Sequence, residues 1–236
     1  MKYMGSKNRY AKQLLPIILK DREPGQWYVE PFVGGANMID KVASPRIGSD
    51  VNPYVIQALM SIRDHLHELP QSRAEFTESQ YKELRISDAY KHKGYAGFAF
   101  SYSGKWLGGW RRDGEGKRDY IAESYKNAEK QNPFLQDIKL VCSAYNDLHI
   151  PDKSIIYCDP PYNGTTKYKD SFDHDSFWDW CRAMVFKGHQ VFVSEYIAPK
   201  DFVCVWSKEV NSSLTKDTGS KKGVERLFMH ERMVLL

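Results

Sequence analysis

The sequence predicts an α/β fold built on one doubly wound sheet. An apolar strand near residues 27–32 leads into a glycine turn, and a second strand near 46–50 ends in an acid and precedes a helix. After residue 134, apolar strands again alternate with a helical stretch. Strands that alternate with helices usually form a parallel sheet that helices cover on both faces. We therefore expect one α/β core with an interruption in its middle.

Turn and capping residues set the bounds of the elements. Asn52 is a preferred helix N-cap and Pro53 suits the first helical position, so we predict a helix over about 53–65. Gly188 ends another helix, predicted over about 175–187. The other predicted elements are a basic helical stretch at about 8–20 and strands at 139–145, 154–159, 190–195, 202–208 and 227–235.

The interruption covers about residues 70–134. This segment is polar, basic and rich in glycine and aromatic residues, and it lacks the strand and helix alternation of its flanks. We therefore predict one α/β domain formed by residues 1–69 and 135–236, with residues 70–134 inserted into it.

Composition excludes several classes of protein. The 236 residues are 42% hydrophobic and 27% charged, close to the values of ordinary globular proteins. The longest apolar runs are too short to span a bilayer, and the chain starts without an apolar leader, so we expect a cytoplasmic protein. The four cysteines lack the spacing of a zinc site and are expected to be buried, reduced thiols. The formal charge of +4 permits a polyanionic partner.

The sharpest motif is Asp159-Pro160-Pro161-Tyr162, which directly follows an apolar strand. Ligands of open α/β sheets bind beyond the carboxyl ends of the strands. The two prolines stiffen the turn and remove two backbone donors, so the Asp159 carboxylate and the Pro160 carbonyl form a site for an NH₂ group. Tyr162 offers a flat face for a heterocycle. An ordinary turn is the alternative, which the preceding buried strand disfavours.

An exocyclic amino group of a nucleic-acid base fits this acceptor site. Its lone pair is delocalised into the ring, so it becomes nucleophilic only when acceptors draw its hydrogens out of the ring plane. Methyl transfer from a sulfonium is then a direct displacement that requires alignment, without a metal or a covalent enzyme intermediate.

A second motif is the glycine turn after the first strand. Gly34 and Gly35 allow close approach of the backbone, and Asp50 at the end of the next strand is placed to hold a ribose hydroxyl. The complete G-x-G-x-x-G pattern is absent, which favours a nucleoside cofactor without a pyrophosphate.

Three motifs in order resemble the Dam-like family of DNA adenine-N6 methyltransferases, which includes bacteriophage members. They are Lys2-Tyr3-Met4-Gly5-Ser6-Lys7, Glu30-Pro31-Phe32-Val33-Gly34-Gly35 and Asp159-Pro160-Pro161-Tyr162. The resemblance spans nearly the whole chain. It implies a Rossmann-like S-adenosylmethionine methyltransferase sheet, mostly parallel with an antiparallel edge strand, plus an inserted target-recognition subdomain at 70–134.

The resemblance also implies roles for individual residues. Tyr3 and Lys7 would help to hold S-adenosylmethionine, Asp50 would take its ribose, and Asp159 would lie between the cofactor and the target amino group. Pro160 and Tyr162 would complete the catalytic motif. The remaining cofactor-binding candidates are Glu30, Phe32, Gly34, Gly35, Tyr145 and Asn146.

The chain departs from the family pattern at two places. Many relatives have an acid just before an aromatic residue that touches the cofactor's adenine, whereas this chain has Ser143-Ala144-Tyr145-Asn146-Asp147. The insertion lacks the asparagine-valine-proline-phenylalanine stretch of GATC-recognising members. Its own string at 98–106 is expected to read another sequence.

Double-stranded DNA is the expected partner, bound by a monomer or weak dimer. Several cations on one surface neutralise phosphates, and arginine also pairs with guanine edges. A solvated basic loop in the insertion and an ordinary charged hairpin near 221 are the alternatives. Most aromatic side chains of the insertion are expected to pack, with one or two entering the duplex. The DNA-binding candidates are Lys105, Arg111, Arg112, Lys117, Arg118, Lys221 and Lys222.

The predicted activity is methylation of N6 of an adenine flipped out of the duplex. An N4-cytosine methyltransferase is the nearest alternative, although Asp at the head of Asp159-Pro160-Pro161-Tyr162 favours adenine by resemblance. A catalytically silent cofactor-binding DNA protein is an alternative from another class, which the intact Asp159 and Tyr162 disfavour. An RNA or protein amide substrate also fits the chemistry, but the basic insertion suits duplex DNA better.

Overall fold

The computed structural model describes residues 1–162, 172–211 and 222–234 of the chain. The helices are α1 (Ala11–Ile18), α2 (Pro53–Asp64), α3 (Glu78–Glu83), α4 (Lys93–Ala99), α5 (Tyr120–Leu135), α6 (His174–Phe186) and α7 (Glu231–Val234). The strands are β1 (Tyr28–Glu30), β2 (Arg46–Asp50), β3 (Ile138–Cys142), β4 (Ile155–Cys158), β5 (Gln190–Glu195), β6 (Phe202–Asn211) and β7 (Lys222–His230).

The seven strands form one sheet in the order β3-β2-β1-β4-β5-β7-β6. The first five run parallel, whereas β7 pairs antiparallel with both β5 and β6. The predicted α/β sheet, mostly parallel with antiparallel pairing at one edge, is thereby confirmed. Because β7 is antiparallel, it begins near the carboxyl ends of the parallel strands. The first residues of β7 therefore lie beside those carboxyl ends.

Capping side chains begin the main helices where the sequence predicts. The Asn52 side chain accepts a hydrogen bond from the backbone N–H of Tyr54 at 3.0 Å, and Pro53 occupies the first turn of α2. The Asp173 carboxylate caps α6 through the backbone N–H of Ser176. Both helices lie within one or two residues of their predicted bounds.

Three predicted strands end elsewhere. The strand predicted at 202–208 extends to Asn211. The strand predicted at 139–145 ends at Cys142, where its pairing with β2 ends at Asp50. The strand predicted at 227–235 begins at Lys222 and ends at His230. A helical turn replaces its end, with the His230 ring accepting from the backbone N–H of Arg232.

The segment predicted as an insertion packs into the main core. Its buried side chains belong to the same cluster as Leu14 of α1 and Leu59 of α2. Gly94 lies directly on α2, where its backbone N–H donates to the Gln57 side chain at 2.6 Å. A Cβ at Gly94 would collide with the Tyr54 carbonyl, so close packing of α4 on α2 requires glycine. The boundaries of the insertion as a separate domain remain a prediction.

Within the described ranges, the helices are all too short or too polar to cross a membrane. The same ranges contain no cluster of three or more His, Cys, Asp or Glu side chains arranged to hold a metal ion. Cys158 and Cys181 are buried as predicted, whereas Cys142 and Cys204 are exposed.

Candidate active site

The polar motifs of the sequence meet along one edge of the sheet. Asp159 directly follows β4, Asp50 ends β2, and Gly34 and Gly35 follow β1. Since β1 lies between β2 and β4, the carboxyl ends of β2 and β4 are separated by about 10 Å, which is two strand spacings. A nucleoside cofactor that reaches from Asp50 to Asp159 therefore crosses the glycine turn.

Lys7 is the central cation of this edge. Its Nζ lies 2.9 Å from Asp159 Oδ1 and 3.7 Å from Glu225 Oε2, and its side chain is only 7% exposed. Burial disfavours the charged lysine, but the two carboxylates outweigh this effect and raise the pKa of Lys7 above its ordinary value. The ammonium therefore remains charged at neutral pH and is shared by two acids.

Asp159 is a half-buried carboxyl group at the head of the turn. Burial raises the pKa of Asp159 above its ordinary value, while the adjacent Lys7 ammonium opposes this rise and nearby Glu225 adds to it. Lys7 thus favours the ionised form of Asp159, which is the form that only accepts hydrogen bonds. Lys7 and Asp159 are both predicted cofactor-binding residues, and the structure places them in direct contact.

Tyr162 is held on several sides. Its hydroxyl donates a hydrogen bond to Glu225 Oε2 at 2.9 Å. The Lys7 Nζ lies over the ring, 4.4 Å from its centroid, and Tyr196 contacts the ring in an edge-on arrangement at 4.6 Å between centroids. The sequence predicts an open aromatic face for stacking, but the ammonium covers one face. Stacking of a base on the Tyr162 ring remains a prediction.

Glu225 is a residue of this site that the sequence reasoning missed. It lies on β7, with its carboxylate against the side chains of Lys7 and Tyr162. No local signal marks it, because Glu225 stands in a charged stretch before the predicted last strand at 227–235. Hereafter Lys7, Asp159, Tyr162 and Glu225 are called the Lys7 cluster.

The glycine turn is filled by the N-terminal segment. A Cβ at Gly34 would lie 2.8 Å from the ring of Tyr3, and a Cβ at Gly35 would lie 2.7 Å from the Tyr3 Cβ. Gly34 also has a positive φ of 46°. The sequence predicts that a ligand approaches these glycines closely. In the structure Tyr3 occupies the space beside both glycines, together with the Asn37 side chain at Gly35.

Asp50 is held by the same turn. Its Oδ2 accepts from the Gly34 N–H at 3.2 Å and its Oδ1 from the Asn52 N–H at 2.9 Å. Burial raises the pKa of Asp50 to about 6, although both backbone donors favour the charged form. A carboxylate has about four acceptor positions, so two remain for hydroxyl groups. The role of Asp50 in holding a ribose remains a prediction.

Glu30, a predicted cofactor-binding residue, lies in the interior of the protein rather than in an open cleft. It is 3% exposed, and its Oε1 accepts a hydrogen bond from the Tyr28 hydroxyl at 2.8 Å. Burial raises the pKa of Glu30 well above its ordinary value and therefore favours the protonated form. Its carboxyl group faces the interior, where little surface remains for contact with a cofactor.

The structure brings Phe32 and Tyr145 together. Their rings stack with centroids 5.5 Å apart at an interplanar angle of 29°. Phe177 of α6 packs edge-on against both rings. Asn146 is exposed beside this aromatic group. These residues are placed beyond the ends of β1 and β3, although Tyr145 lies in a turn rather than in the predicted strand.

The predicted DNA-binding cations differ in their surroundings. Arg111 is mostly buried, bonded to Glu123 at 2.9 Å and stacked 3.7 Å above the Tyr120 ring. Arg112, Lys117 and Arg118 are exposed and form salt bridges with Glu78, Glu115 and Glu123, respectively.

Lys105 is also exposed, and it forms no ion pair with a residue in the described part of the chain. Lys221 lies outside the described residues, and Lys222 begins β7.

This combination of sheet and site defines a class of transferase that uses a nucleoside cofactor. Residues 3–98 and 114–222 match the family model described as D12 class N6 adenine-specific DNA methyltransferase. Since the match covers most of the chain, the protein belongs to this family. Comparison with curated proteins gave no match. The protein is accordingly an enzyme that methylates N6 of adenine in DNA and takes the methyl group from S-adenosylmethionine.

Proposed function

We propose that the turn after β4 is the catalytic centre and that it binds a single adenine flipped out of duplex DNA. The Asp159 carboxylate and the Pro160 carbonyl would accept the two hydrogens of the N6 amino group. The observation that carries this assignment is the placement of Asp159 at the sheet edge, half-buried and 2.9 Å from the buried Lys7 ammonium. Burial of an acceptor beside a fixed cation provides an oriented group with little reorganisation.

S-adenosylmethionine supplies an electrophilic methyl group on a sulfonium. The amino nitrogen forms the new N–C bond while the C–S bond breaks, and the nitrogen then loses one proton. Asp159, charged because of Lys7, would first orient that hydrogen and then accept it or pass it to solvent. The rigid Pro160-Pro161 pair would hold the acceptors in line with the incoming methyl group.

Cofactor binding is proposed for the edge between Asp50 and Lys7. Asp50 would accept from the ribose hydroxyls, since its two backbone bonds leave acceptor positions open. The aromatic group of Phe32 and Tyr145 provides an apolar surface for the adenine ring. Tyr3 would contact the cofactor from above the glycine turn. The backbone of Gly34 and Gly35 and the exposed Asn146 complete the proposed set.

DNA recognition is proposed for the segment 70–134, and above all for residues 99–113. This stretch separates the two ranges that match the family model, as expected of residues that read a sequence particular to one enzyme. Its backbone turns back on itself, with the Tyr102 N–H donating to the Gly109 carbonyl at 2.9 Å. The turn presents Tyr102, 70% exposed, and Lys105.

The arginines of the segment 70–134 would bind DNA by exchanging their glutamate partners for phosphates. Arg112 and Arg118 are already paired with glutamates, so phosphates would have to replace those partners. Both pairs are at the surface, where such exchange costs little. We further propose that the protein acts on DNA as a monomer or weak dimer in the cytoplasm of a bacterial cell, encoded by the cell or by a phage. The formal charge of +4 supports contact with DNA.

Methylation of amplified, unmethylated duplex DNA tests this proposal. The enzyme is incubated with the DNA and labelled S-adenosylmethionine, and the product is digested to nucleosides and mapped. We expect N6-methyl-2′-deoxyadenosine at one short sequence, and a changed sequence preference when Tyr102 or Lys105 is replaced by alanine. An unchanged preference in both variants would exclude Tyr102 and Lys105 from sequence reading.

A further inference from the structure

Glu225 reaches the catalytic edge because of the direction of β7. In the register of the sheet, Glu225 lies opposite Lys208 of β6, and the next residue, Arg226, lies opposite Glu195 at the end of β5. A parallel strand in this position would end, rather than start, at this edge. The antiparallel strand therefore delivers an acid from the C-terminal region to the turn after β4.

The contacts of Glu225 close the Lys7 cluster into a ring. One carboxylate oxygen accepts from the Tyr162 hydroxyl at 2.9 Å and lies 3.7 Å from the Lys7 Nζ. The same Nζ contacts Asp159 Oδ1 at 2.9 Å and the face of the Tyr162 ring at 4.4 Å. Glu225 thus contacts the partners of Asp159 and restrains both.

We propose that Glu225 is a positioning residue for methyl transfer, which holds the Tyr162 ring and the Lys7 ammonium in the places from which they act on Asp159. This inference rests on the proposed function of the turn after β4. Glu225 itself need not touch the adenine or the cofactor. Its effect is transmitted through the Tyr162 hydroxyl and the Lys7 ammonium.

The charge of Glu225 also bears on Asp159. Two carboxylates share one ammonium, so the like charge of Glu225 raises the pKa of Asp159 while Lys7 opposes the rise. Replacing Glu225 with a neutral amide removes this repulsion and leaves Lys7 paired with Asp159 alone, so the pKa of Asp159 falls. The titratable groups that face Asp159 are Lys7, Glu225, Tyr162, Glu30 of β1 and Tyr157 of β4.

Glu225→Gln and Glu225→Ala separate the two effects. The glutamine retains an oxygen that accepts from the Tyr162 hydroxyl but has no charge, whereas the alanine has neither. Single-turnover methylation of amplified, unmethylated duplex DNA is measured across pH at saturating S-adenosylmethionine. We expect the acid limb of the Glu225→Gln profile to move to lower pH, because Asp159 must be ionised to accept the amino hydrogens. Glu231→Gln is the matched control, since it removes the same charge at an exposed position beyond the opposite end of β7.

Glu225→Ala should lower the single-turnover rate roughly tenfold to hundredfold, the usual cost of a misplaced catalytic group, with a small change in cofactor affinity. The glutamine variant should recover most of that rate at its new optimum. A rate and a pH profile that match the wild type in both variants would overturn the inference. A loss of rate that glutamine does not recover, with no shift of the acid limb, would also overturn it.

Asp159→Ala, measured in parallel, distinguishes failure of this inference from failure of the proposed function. If Asp159→Ala keeps its activity, the assignment of the catalytic turn is wrong. If Asp159→Ala is inactive while both Glu225 variants behave like the wild type, the catalytic turn stands and only the positioning role is excluded. Circular dichroism melting of each variant establishes that it is folded.

Discussion

The sheet edge and the segment 70–134 use charged residues in opposite ways. At the edge, Lys7 is 7% exposed and holds Asp159 and Glu225 in a buried cluster. In the segment, Arg112 is 70% exposed and pairs with Glu78 at the surface. Solvent and salt screen the surface pair strongly and the buried cluster weakly. The first arrangement suits chemistry that needs fixed groups, and the second suits binding in which glutamates and phosphates exchange.

The difference also concerns what a substitution does. Removing one member of a buried ion pair leaves a charge without compensation and changes the ionisation of its neighbours. Removing a surface cation changes mainly the long-range attraction for a polyanion. Substitutions at the edge should therefore alter rate and pH dependence, and substitutions in the segment should alter DNA affinity and its response to salt.

The largest effect is expected for Asp159→Ala. Loss of the acceptor should lower the single-turnover methylation rate on the order of 10²–10³-fold or abolish it, as does removal of one preorganised hydrogen-bonding group in other enzymes. The measurement uses labelled S-adenosylmethionine and duplex DNA, with Asp152→Ala at an exposed turn as the control. Turnover near the wild-type rate would contradict the assignment of the turn after β4 as the catalytic centre.

Asp50→Ala should weaken binding of S-adenosylmethionine by about tenfold to hundredfold, the value of a hydrogen bond to a charged group. Isothermal titration calorimetry measures this affinity. For the wild type, affinity should also fall as the pH drops through about 6, because the pKa of Asp50 is raised to about 6 and the protonated carboxyl accepts fewer hydrogen bonds. Unchanged affinity in the variant would mean that Asp50 does not bind the cofactor.

Lys7→Met should move the acid limb of the pH profile of methylation to higher pH. Without the ammonium, burial and Glu225 raise the pKa of Asp159 further, so ionisation requires a higher pH. This shift is opposite in sign to that expected for Glu225→Gln. Lys12→Met, an exposed lysine on α1, is the control and should leave the profile unchanged. An acid limb at the wild-type pH in Lys7→Met would mean that Lys7 does not control the pKa of Asp159.

The smallest effect is expected for Lys105→Gln. DNA affinity of the wild type should fall steeply with salt, and the variant should reduce the slope of log K against log salt by about one. Fluorescence anisotropy with a labelled duplex measures both, with Lys20→Gln, at an exposed position just after the end of α1, as the control. A wild-type affinity that does not respond to salt would exclude an interface dominated by phosphates.

Much of the fold was predictable because its signals are local. Asn52 and Pro53 marked the start of α2, and the apolar run at 155–158 marked β4. The ends of β3, β6 and β7 were not predictable, because they depend on pairing with neighbouring strands rather than on local turn residues. The packing of residues 70–134 on α2 was also missed, because it depends on contacts such as that of Gly94 with Gln57.

By itself, the sequence determined which groups meet at the sheet edge. The motifs at Gly34, Asp50 and Asp159 each follow a strand, and parallel strands bring their carboxyl ends together whatever the details of packing. Only the tertiary structure decided what surrounds these groups. Tyr3 fills the glycine turn, Glu30 turns to the interior, and Glu225 joins Tyr162 from 63 residues away. The physical reason is that burial and ion pairing depend on strand order and direction, which bring together residues that are remote in the chain.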